Sequence, residues 1–335
     1  MRTIAFFSNG GRAGGATTAY HVSYMLGELG YNVLAVDLDP QARLTSLFLS
    51  DEKLREIYGK KTLDTTLSAA LKFLDKAIGS VGSTTIHPVN DKIKLLAGDL
   101  ELSLLEDEFS TSWSRCLEGD ESALRITTAF YHIITEVYCR YQADFCIVTT
   151  GSNFGSINRA ALIATDYVVI PTEPIVFSLQ EVKNVGSILN SWRNQWKEIL
   201  NKASQLLTKL PAGRIEPIGY TVMKPSLGDT KIVESFYDWG YQMPQAFRKY
   251  VLNESSATSD VYVESDPHCL ALLQYFYSLM PIFLEVRKPI FLLKPADGAI
   301  GAHGEAVRSA YNSFKKLTQK IISLTETVDQ KSSVE

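Results

Sequence analysis

The chain has 335 residues, of which 45% are hydrophobic, enough to bury one large core or one core and a small lobe. Charged residues make up 21% and the net charge is −4, so the composition gives no global signal for nucleic acid, although a local basic face is compatible with it. The four cysteines form no CxxC pair, which favours reduced, buried thiols in a cytoplasmic protein over a metal site.

The first forty residues alternate strand and helix signals. Thr3–Ser8 is predicted as a buried strand, and its apolar part is too short for the core of a signal peptide. A glycine-rich loop, Asn9–Gly15, follows. Thr17–Leu29 has helical spacing of apolar residues and ends before a glycine, and Asn32–Val36 is a second buried strand. This opening is typical of an α/β fold with a doubly wound, mostly parallel sheet flanked by helices.

The alternation continues along the chain, which predicts one domain over residues 1–322. The later predicted strands are Ile93–Leu96, Asp144–Val148, Tyr167–Ile170 and Pro217–Val222. The later predicted helices are Leu63–Ala77, Ala123–Tyr141, Ser156–Ala164, Leu179–Ile199 and Gly304–Ile322. Residues 227–267 are irregular in pattern, and the polar residues 323–335 are predicted to form a disordered tail.

One apolar stretch, Cys269–Val286, approaches the length of a membrane span. Gln274, Pro281 and Glu285 interrupt it, and a proline in the middle would break a spanning helix. We therefore predict a buried helix followed by a turn and a strand, and no contact with a membrane.

The loop after the first strand has the spacing of a phosphate-binding loop, G-x-x-x-x-G-K-[ST]. Such a loop turns backbone N–H groups toward phosphate oxygens at the positive end of a helix, and its lysine and hydroxyl contact the β- and γ-phosphates and magnesium. The sequence from Gly10 to Thr17 fits this pattern at every position except Ala16, which stands where the lysine belongs.

Several segments resemble the ParA/MinD family of partitioning ATPases, whose deviant loop K-G-G-x-G-K-T-T precedes a helix, a G-x-x-V-L strand and D-x-D-P-Q. The similar segments here are Gly11–Thr18, Gly30–Leu34, Asp37–Gln41, Leu95–Glu101, Asp144–Val148 and Ala164–Pro174. The resemblance spans residues 1–322. It implies a P-loop NTPase fold.

The chain departs from the family pattern at four positions near the phosphates. The family's signature lysine aligns with Gly11 and its P-loop lysine with Ala16. The switch after the strand Asp144–Val148 has Thr149 in place of the magnesium-side aspartate and Ser152 in place of a proline. Arg12 is a candidate substitute cation, and a surface position is the alternative for it.

The resemblance also implies which residues form the site. The phosphate-binding residues would be Gly10, Gly11, Arg12, Gly14, Gly15, Ala16, Thr17 and Thr18. Thr17, Asp37 and Asp39 would hold magnesium, and Asp39 would be the catalytic carboxylate. Each missing lysine removes a charge-assisted hydrogen bond of about 1.5–3 kcal/mol, so we expect ATP and Mg²⁺ to bind weakly, with affinity on the order of millimolar.

These observations leave several functions open. The first hypothesis is a ParA-like protein that partitions or positions DNA or other cargo, with weak or absent ATP hydrolysis. The alternative is a pseudo-ATPase scaffold that no longer binds nucleotide. A third reading, an active ATPase that uses Arg12, ranks last.

The resemblance also implies partners. The family forms nucleotide-promoted homodimers, acts with an adaptor of ParB type, and often binds DNA nonspecifically through basic C-terminal residues. The basic side of the last predicted helix consists of Arg308, Lys315, Lys316 and Lys320. A solvated helix face accounts for the same charges.

Overall fold

The computed structural model of the protein describes residues 2–11, 13–59, 66–71, 85–175, 177–203, 209–224, 230–255, 261–276 and 278–332. Arg12 and most of the predicted helix Leu63–Ala77 lie outside these residues, as does most of the loop predicted at residues 255–259.

The described residues form an eight-stranded sheet, in which only β3 is antiparallel to its neighbour. The strands are β1 (Arg2–Phe6), β2 (Val33–Leu38), β3 (His87–Pro88), β4 (Ile93–Leu96), β5 (Phe145–Thr150), β6 (Tyr167–Thr172), β7 (Glu216–Lys224) and β8 (Cys269–Gln274). Their order in the sheet is β3-β4-β2-β5-β1-β6-β7-β8.

Twelve α-helices within the described residues cover the two faces of the sheet. They are α1 (Gly15–Glu28), α2 (Arg43–Phe48), α3 (Asp51–Gly59), α4 (Leu67–Leu71), α5 (Glu106–Leu117), α6 (Glu121–Thr127), α7 (Ala129–Tyr141), α8 (Ser156–Ile163), α9 (Ser178–Lys202), α10 (Thr230–Ala246), α11 (Met280–Val286) and α12 (His303–Ser332). None of these helices is both long enough and apolar enough to cross a bilayer.

The core has two layers because alternate residues of each strand face opposite sides of the sheet. On β5, Cys146 and Val148 pack toward α5, α7, α8 and α9, and Phe145 and Ile147 pack toward α1 and α12. Both faces are covered, so the central strands are apolar without alternation. This is why their sequences are recognisable as buried strands.

The predicted fold class is confirmed. β2, β5 and β1 are neighbours in the sheet and run parallel, and they correspond to the predicted strands Asn32–Val36, Asp144–Val148 and Thr3–Ser8. The remaining predicted strands correspond to β4, β6 and β7 within two residues at each end.

The prediction for Cys269–Val286 was wrong in its order of elements. The strand β8 comes first and the helix α11 second, because the five-residue apolar run Cys269–Leu273 fits an edge strand as well as a helix. Pro281 lies in the first turn of α11, where a proline is tolerated, and does not break a helix.

Three other elements differ from expectation. The irregular segment contains the helix α10, whose Trp239 and Met243 are buried. The predicted helix Ala123–Tyr141 is divided at Thr128 into α6 and α7. The helix α12 continues past Ile322 to Ser332, because Thr325 is buried and its carbonyl accepts a hydrogen bond from the Tyr167 hydroxyl, 3.3 Å away.

Candidate nucleotide site

The glycine-rich loop lies at the carboxyl edge of the sheet between β1 and α1. Gly14 has a φ of 67° and precedes the first residue of the helix, and the Thr18 amide bonds to its carbonyl at 2.8 Å. A left-handed residue at this point favours glycine. Ala16 and Thr17 are half-buried and Thr18 is buried. Neither the Thr17 nor the Thr18 hydroxyl has a hydrogen-bond partner among the described residues, and the half-buried Thr17 is the more accessible of the two.

The first turn of α1 contains no acidic residue, so its positive end is not neutralised within the helix. His21 holds the helix in place from inside. The Ile290 amide donates to His21 Nε2 at 3.1 Å, which makes Nδ1 the protonated nitrogen that donates to the Thr17 carbonyl at 2.8 Å. Burial lowers the pKa of His21 to about 4, so the ring is neutral at physiological pH.

Asp37 is fully buried at the end of β2, and protein donors occupy both of its carboxylate oxygens. Oδ2 accepts from the Thr45 amide and hydroxyl at 2.7 and 2.8 Å. Oδ1 accepts from the Thr149 hydroxyl at 3.0 Å and the Asp39 amide at 3.2 Å. Burial raises the pKa of Asp37 to about 6, against the lowering effect of the Thr45 hydrogen bonds.

Asp39 lies two residues further, where the chain leaves the sheet edge. Its Oδ1 accepts from the Gln41 amide at 3.0 Å, and its Oδ2 lies 3.4 Å from Arg43 Nε. Burial raises the pKa of the Asp39 carboxyl, and the Gln41 amide and the Arg43 charge oppose this shift. Asp39 is therefore a carboxylate with a cationic partner, whereas Asp37 has only neutral donors.

Two charged side chains that the sequence did not predict lie against the loop. A Cβ built on Gly11 would lie 3.7 and 3.8 Å from the two terminal nitrogens of Arg43. A Cβ built on Gly10 would lie 2.5 Å from Oε2 of Glu181, which is in the first turn of α9. Arg43 could have been found from the sequence, because it is a cation two positions after the D-x-D-P-Q element. Glu181 is distant in sequence from the loop, and no sequence pattern points to it.

The loop after β5 is held by a buried asparagine. Asn158 Oδ1 accepts from the Gly151 amide at 2.9 Å, and its Nδ2 donates to the Gly151 and Asn153 carbonyls at 3.0 and 2.8 Å. The Ser152 hydroxyl lies 3.6 Å from the Cβ position of Gly11. The loop after β5 therefore contacts the phosphate loop through Ser152 and Gly11, and β5 contacts the end of β2 through Thr149 and Asp37.

Comparisons with known proteins place the chain in a family. A family model described as an AAA domain matches residues 1–202, which is more than half of the chain. A protein of Methanocaldococcus jannaschii is 28% identical over 67% of this chain and 87% of its own length. The virulence plasmid ParA family protein pGP5-D of Chlamydia muridarum is 25% identical over 57% of this chain and 62% of its own. The chain spans less than half the length of two rhizobial relatives.

The chain belongs to the ParA/MinD family. Solved structures agree in fold. Protein DIP2308 of Corynebacterium diphtheriae has a TM-score of 0.67 at 22% identity and covers 86% of this chain and 97% of its own. The plasmid partition protein BB_S35 of Borrelia burgdorferi, solved with AMPPNP, has a TM-score of 0.55 at 14% identity, over 96% of this chain and 98% of its own.

The donor set of this ParA/MinD chain fits a phosphate group. An anion here could accept hydrogen bonds from backbone amides at the start of α1, which follows the left-handed Gly14, and from the hydroxyls of Thr17 and Thr18. For magnesium, the available oxygens are the Thr17 hydroxyl and the Asp39 carboxylate. The described residues contain no group of three or more His, Cys, Asp or Glu side chains placed to hold a metal on their own.

The four basic residues of α12 that were considered for DNA contact differ in exposure and in hydrogen bonding. Arg308 and Lys316 of α12 are exposed and Lys315 is half-buried over the Tyr311 ring. The Lys320 ammonium donates to the Cys269 carbonyl at 2.7 Å, at the edge of β8. Lys320 therefore has a structural partner, and its charge is directed toward the sheet.

Proposed function

We propose that this ParA/MinD member partitions or positions DNA or another cargo, binds ATP and Mg²⁺ weakly, and hydrolyses ATP at a rate near background. The observation that carries the proposal is a left-handed glycine directly before a helix, as a phosphate loop requires, together with neutral residues at both lysine positions. The glycine is Gly14 before α1, and Gly11 and Ala16 stand at the lysine positions.

Weak binding follows from the donors that are left. Backbone amides, the partial charge of a helix end and hydroxyls all recognise phosphate without lysine. Arg43 adds a cation near the loop, and Glu181 places a carboxylate beside Gly10. The net result is binding on the order of −4 kcal/mol, or millimolar affinity.

Slow hydrolysis follows from the charges that are missing. Stabilising charge at a transferring phosphoryl group typically contributes about 10³–10⁵ in rate. The Thr149 hydroxyl donates to Asp37 and supplies no carboxylate to the magnesium side. Asp39 is the carboxylate that could act at this edge of the sheet, and Arg43 is paired with it.

The partner proposals rest on the family resemblance. They are a homodimer promoted by nucleotide, an adaptor of ParB type, and nonspecific DNA contact. Arg308 and Lys316 are the best placed to contact DNA because their side chains are exposed. Lys315 is less well placed because it is half-buried. Lys320 is the least suited of the four because its ammonium is hydrogen-bonded inside the fold.

A second candidate function is a scaffold that has lost nucleotide altogether. Two observations favour it, namely the saturation of Asp37 by four neutral protein donors and the cover of Gly10 by Glu181. In this case the sheet edge would serve protein contacts only.

Titration of the purified protein with Mg-ATP distinguishes the two functions. The first predicts millimolar binding, turnover near background, and a tenfold or larger gain in affinity in Ala16→Lys, because the new ammonium would stand at the P-loop lysine position. Turnover at the rate of an ordinary partition ATPase would contradict the first function. No binding to wild type or to folded Ala16→Lys would establish the scaffold.

A further inference from the structure

We infer that Arg43 is the phosphate-binding cation of this chain and takes the place of the lysines missing at Gly11 and Ala16. The inference rests on the proposed function, because it requires that nucleotide enter the loop. It assigns a phosphate-binding role to a residue that lies outside the phosphate-loop motif.

The guanidinium of Arg43 faces the position of the missing signature lysine. Its Nη1 and Nη2 lie 3.7 and 3.8 Å from the Cβ position of Gly11. Among the closest described neighbours of Gly10, Gly11, Gly14 and Gly15, it is the only cationic group. A cation of α2 thus reaches this edge of the loop.

The hydrogen bonds of Arg43 leave one donor directed at the loop. Gln41 Oε1 accepts from Nε at 3.0 Å and from Nη2 at 2.6 Å, and Asp39 Oδ2 lies 3.4 Å from Nε. Nη1 has no hydrogen bond within the described residues. Gln41 and Asp39 therefore fix one side of the guanidinium and present its other side toward Gly11.

The backbone before Arg43 is in a conformation that few residues adopt. Ala42 has a φ of 51°, and its amide bonds to the Asp39 carbonyl at 2.8 Å. This left-handed turn makes Arg43 the first residue of α2. Strained backbone of this kind is retained where it serves a site. Here it aims the guanidinium at the loop.

The chemistry of arginine suits this placement. A guanidinium is always charged and donates in a planar fork that matches two phosphate oxygens. The side chain of Arg43 is 38% exposed, so solvent and ligand both reach it. A phosphate at the start of α1 would accept from Nη1, and the ion pair with Asp39 would hold the cation ready without nucleotide.

Nucleotide titrations of Arg43→Ala test the inference without any activity assay. We expect its dissociation constant for Mg-ATP and for ADP to rise about 10- to 100-fold, measured by NMR titration of labelled protein. Arg43→Lys should recover part of the loss, because it keeps the charge and loses the fork. The matched control is Arg55→Ala, which removes one exposed positive charge from α3 and should change affinity less than twofold.

The same comparison in the Ala16→Lys background keeps the affinities within a range that is easily measured. If wild type and Ala16→Lys bind nucleotide and folded Arg43→Ala binds equally well in both backgrounds, the inference is overturned and the proposed function stands. If neither wild type nor folded Ala16→Lys binds nucleotide, both are overturned together.

Discussion

The loop after β1 and the loop after β5 meet at the same edge of the sheet, but their structures are maintained in different ways. The phosphate loop depends on backbone, with a left-handed Gly14 and the amides at the start of α1. The loop after β5 depends on side chains, since Asn158 holds Gly151 and Asn153 and Thr149 holds Asp37. Anion binding that relies on backbone survives the loss of charged side chains, whereas catalysis that relies on side chains does not.

The largest effect should come from breaking the side-chain loop. Asn158 is buried, and Asn158→Ala removes hydrogen bonds to the Gly151 amide and to two carbonyls and leaves these groups unsatisfied. We expect the free energy of unfolding to fall by about 4 kcal/mol, measured by denaturant titration. Asn194→Ala, at an exposed position on α9, is the control and should change it by less than about 0.5 kcal/mol. Equal losses in the two variants would contradict this account.

The second effect concerns Asp37, where the loop after β5 meets β2. Its pKa is raised from 3.8 to about 6, so the folded state binds a proton more tightly than the unfolded state. The contribution of Asp37 to stability should therefore fall as the pH rises from about 4 to about 6, by about 3 kcal/mol.

The variant Asp37→Asn removes the titrating carboxyl and so isolates its contribution to the free energy of unfolding. The difference in free energy of unfolding between wild type and Asp37→Asn should change with pH in that window. His21 has the opposite slope, since its pKa is lowered from 6.5 to about 4 and its stabilisation is lost as the pH falls through that range. A difference that does not change between pH 4 and pH 6 would rule out the raised pKa of Asp37.

A smaller effect should come from the backbone loop. Gly14→Ala places a side chain at a φ of 67°, which costs about 1–2 kcal/mol, although its Cβ would meet no atom closer than 3.9 Å. Gly304→Ala on α12 is the matched control, because that glycine has ordinary φ and no neighbour within 4 Å. Thermal unfolding should show a loss for Gly14→Ala and no loss for Gly304→Ala. The reverse order would mean that the loop does not require the left-handed turn.

The smallest effect should come from Gly11→Lys, which restores the signature lysine of the family. A Cβ at residue 11 meets its nearest atom, Ser152 Oγ, at 3.6 Å, which is ordinary contact. We expect a change in the free energy of unfolding below about 0.5 kcal/mol. A larger loss in denaturant titration would show that the loop has closed over this position.

The sequence predicted the parts of this protein that depend on local pattern. β1, β2 and β5 each contain at least three consecutive apolar residues, and Gly14 and Thr17 follow from motif spacing. β8 escaped prediction because a short apolar run suits either kind of element, and α10 because its pattern is irregular. Arg43 and Glu181 reach the loop only through the turn at Ala42 and the packing of α9, and neither is visible in the loop motif.

The position of β1 in the sheet also has a consequence for biosynthesis. β1 lies between β5 and β6, which comprise residues 145–150 and 167–172. A ribosome adds about 5–20 residues per second, so the first strand waits on the order of ten seconds for both of its neighbours. During that interval an apolar strand with unpaired edges is exposed to other chains. The phosphate loop is therefore translated well before the strands that complete its surroundings, and nucleotide cannot assist folding until β5 and β6 have been translated.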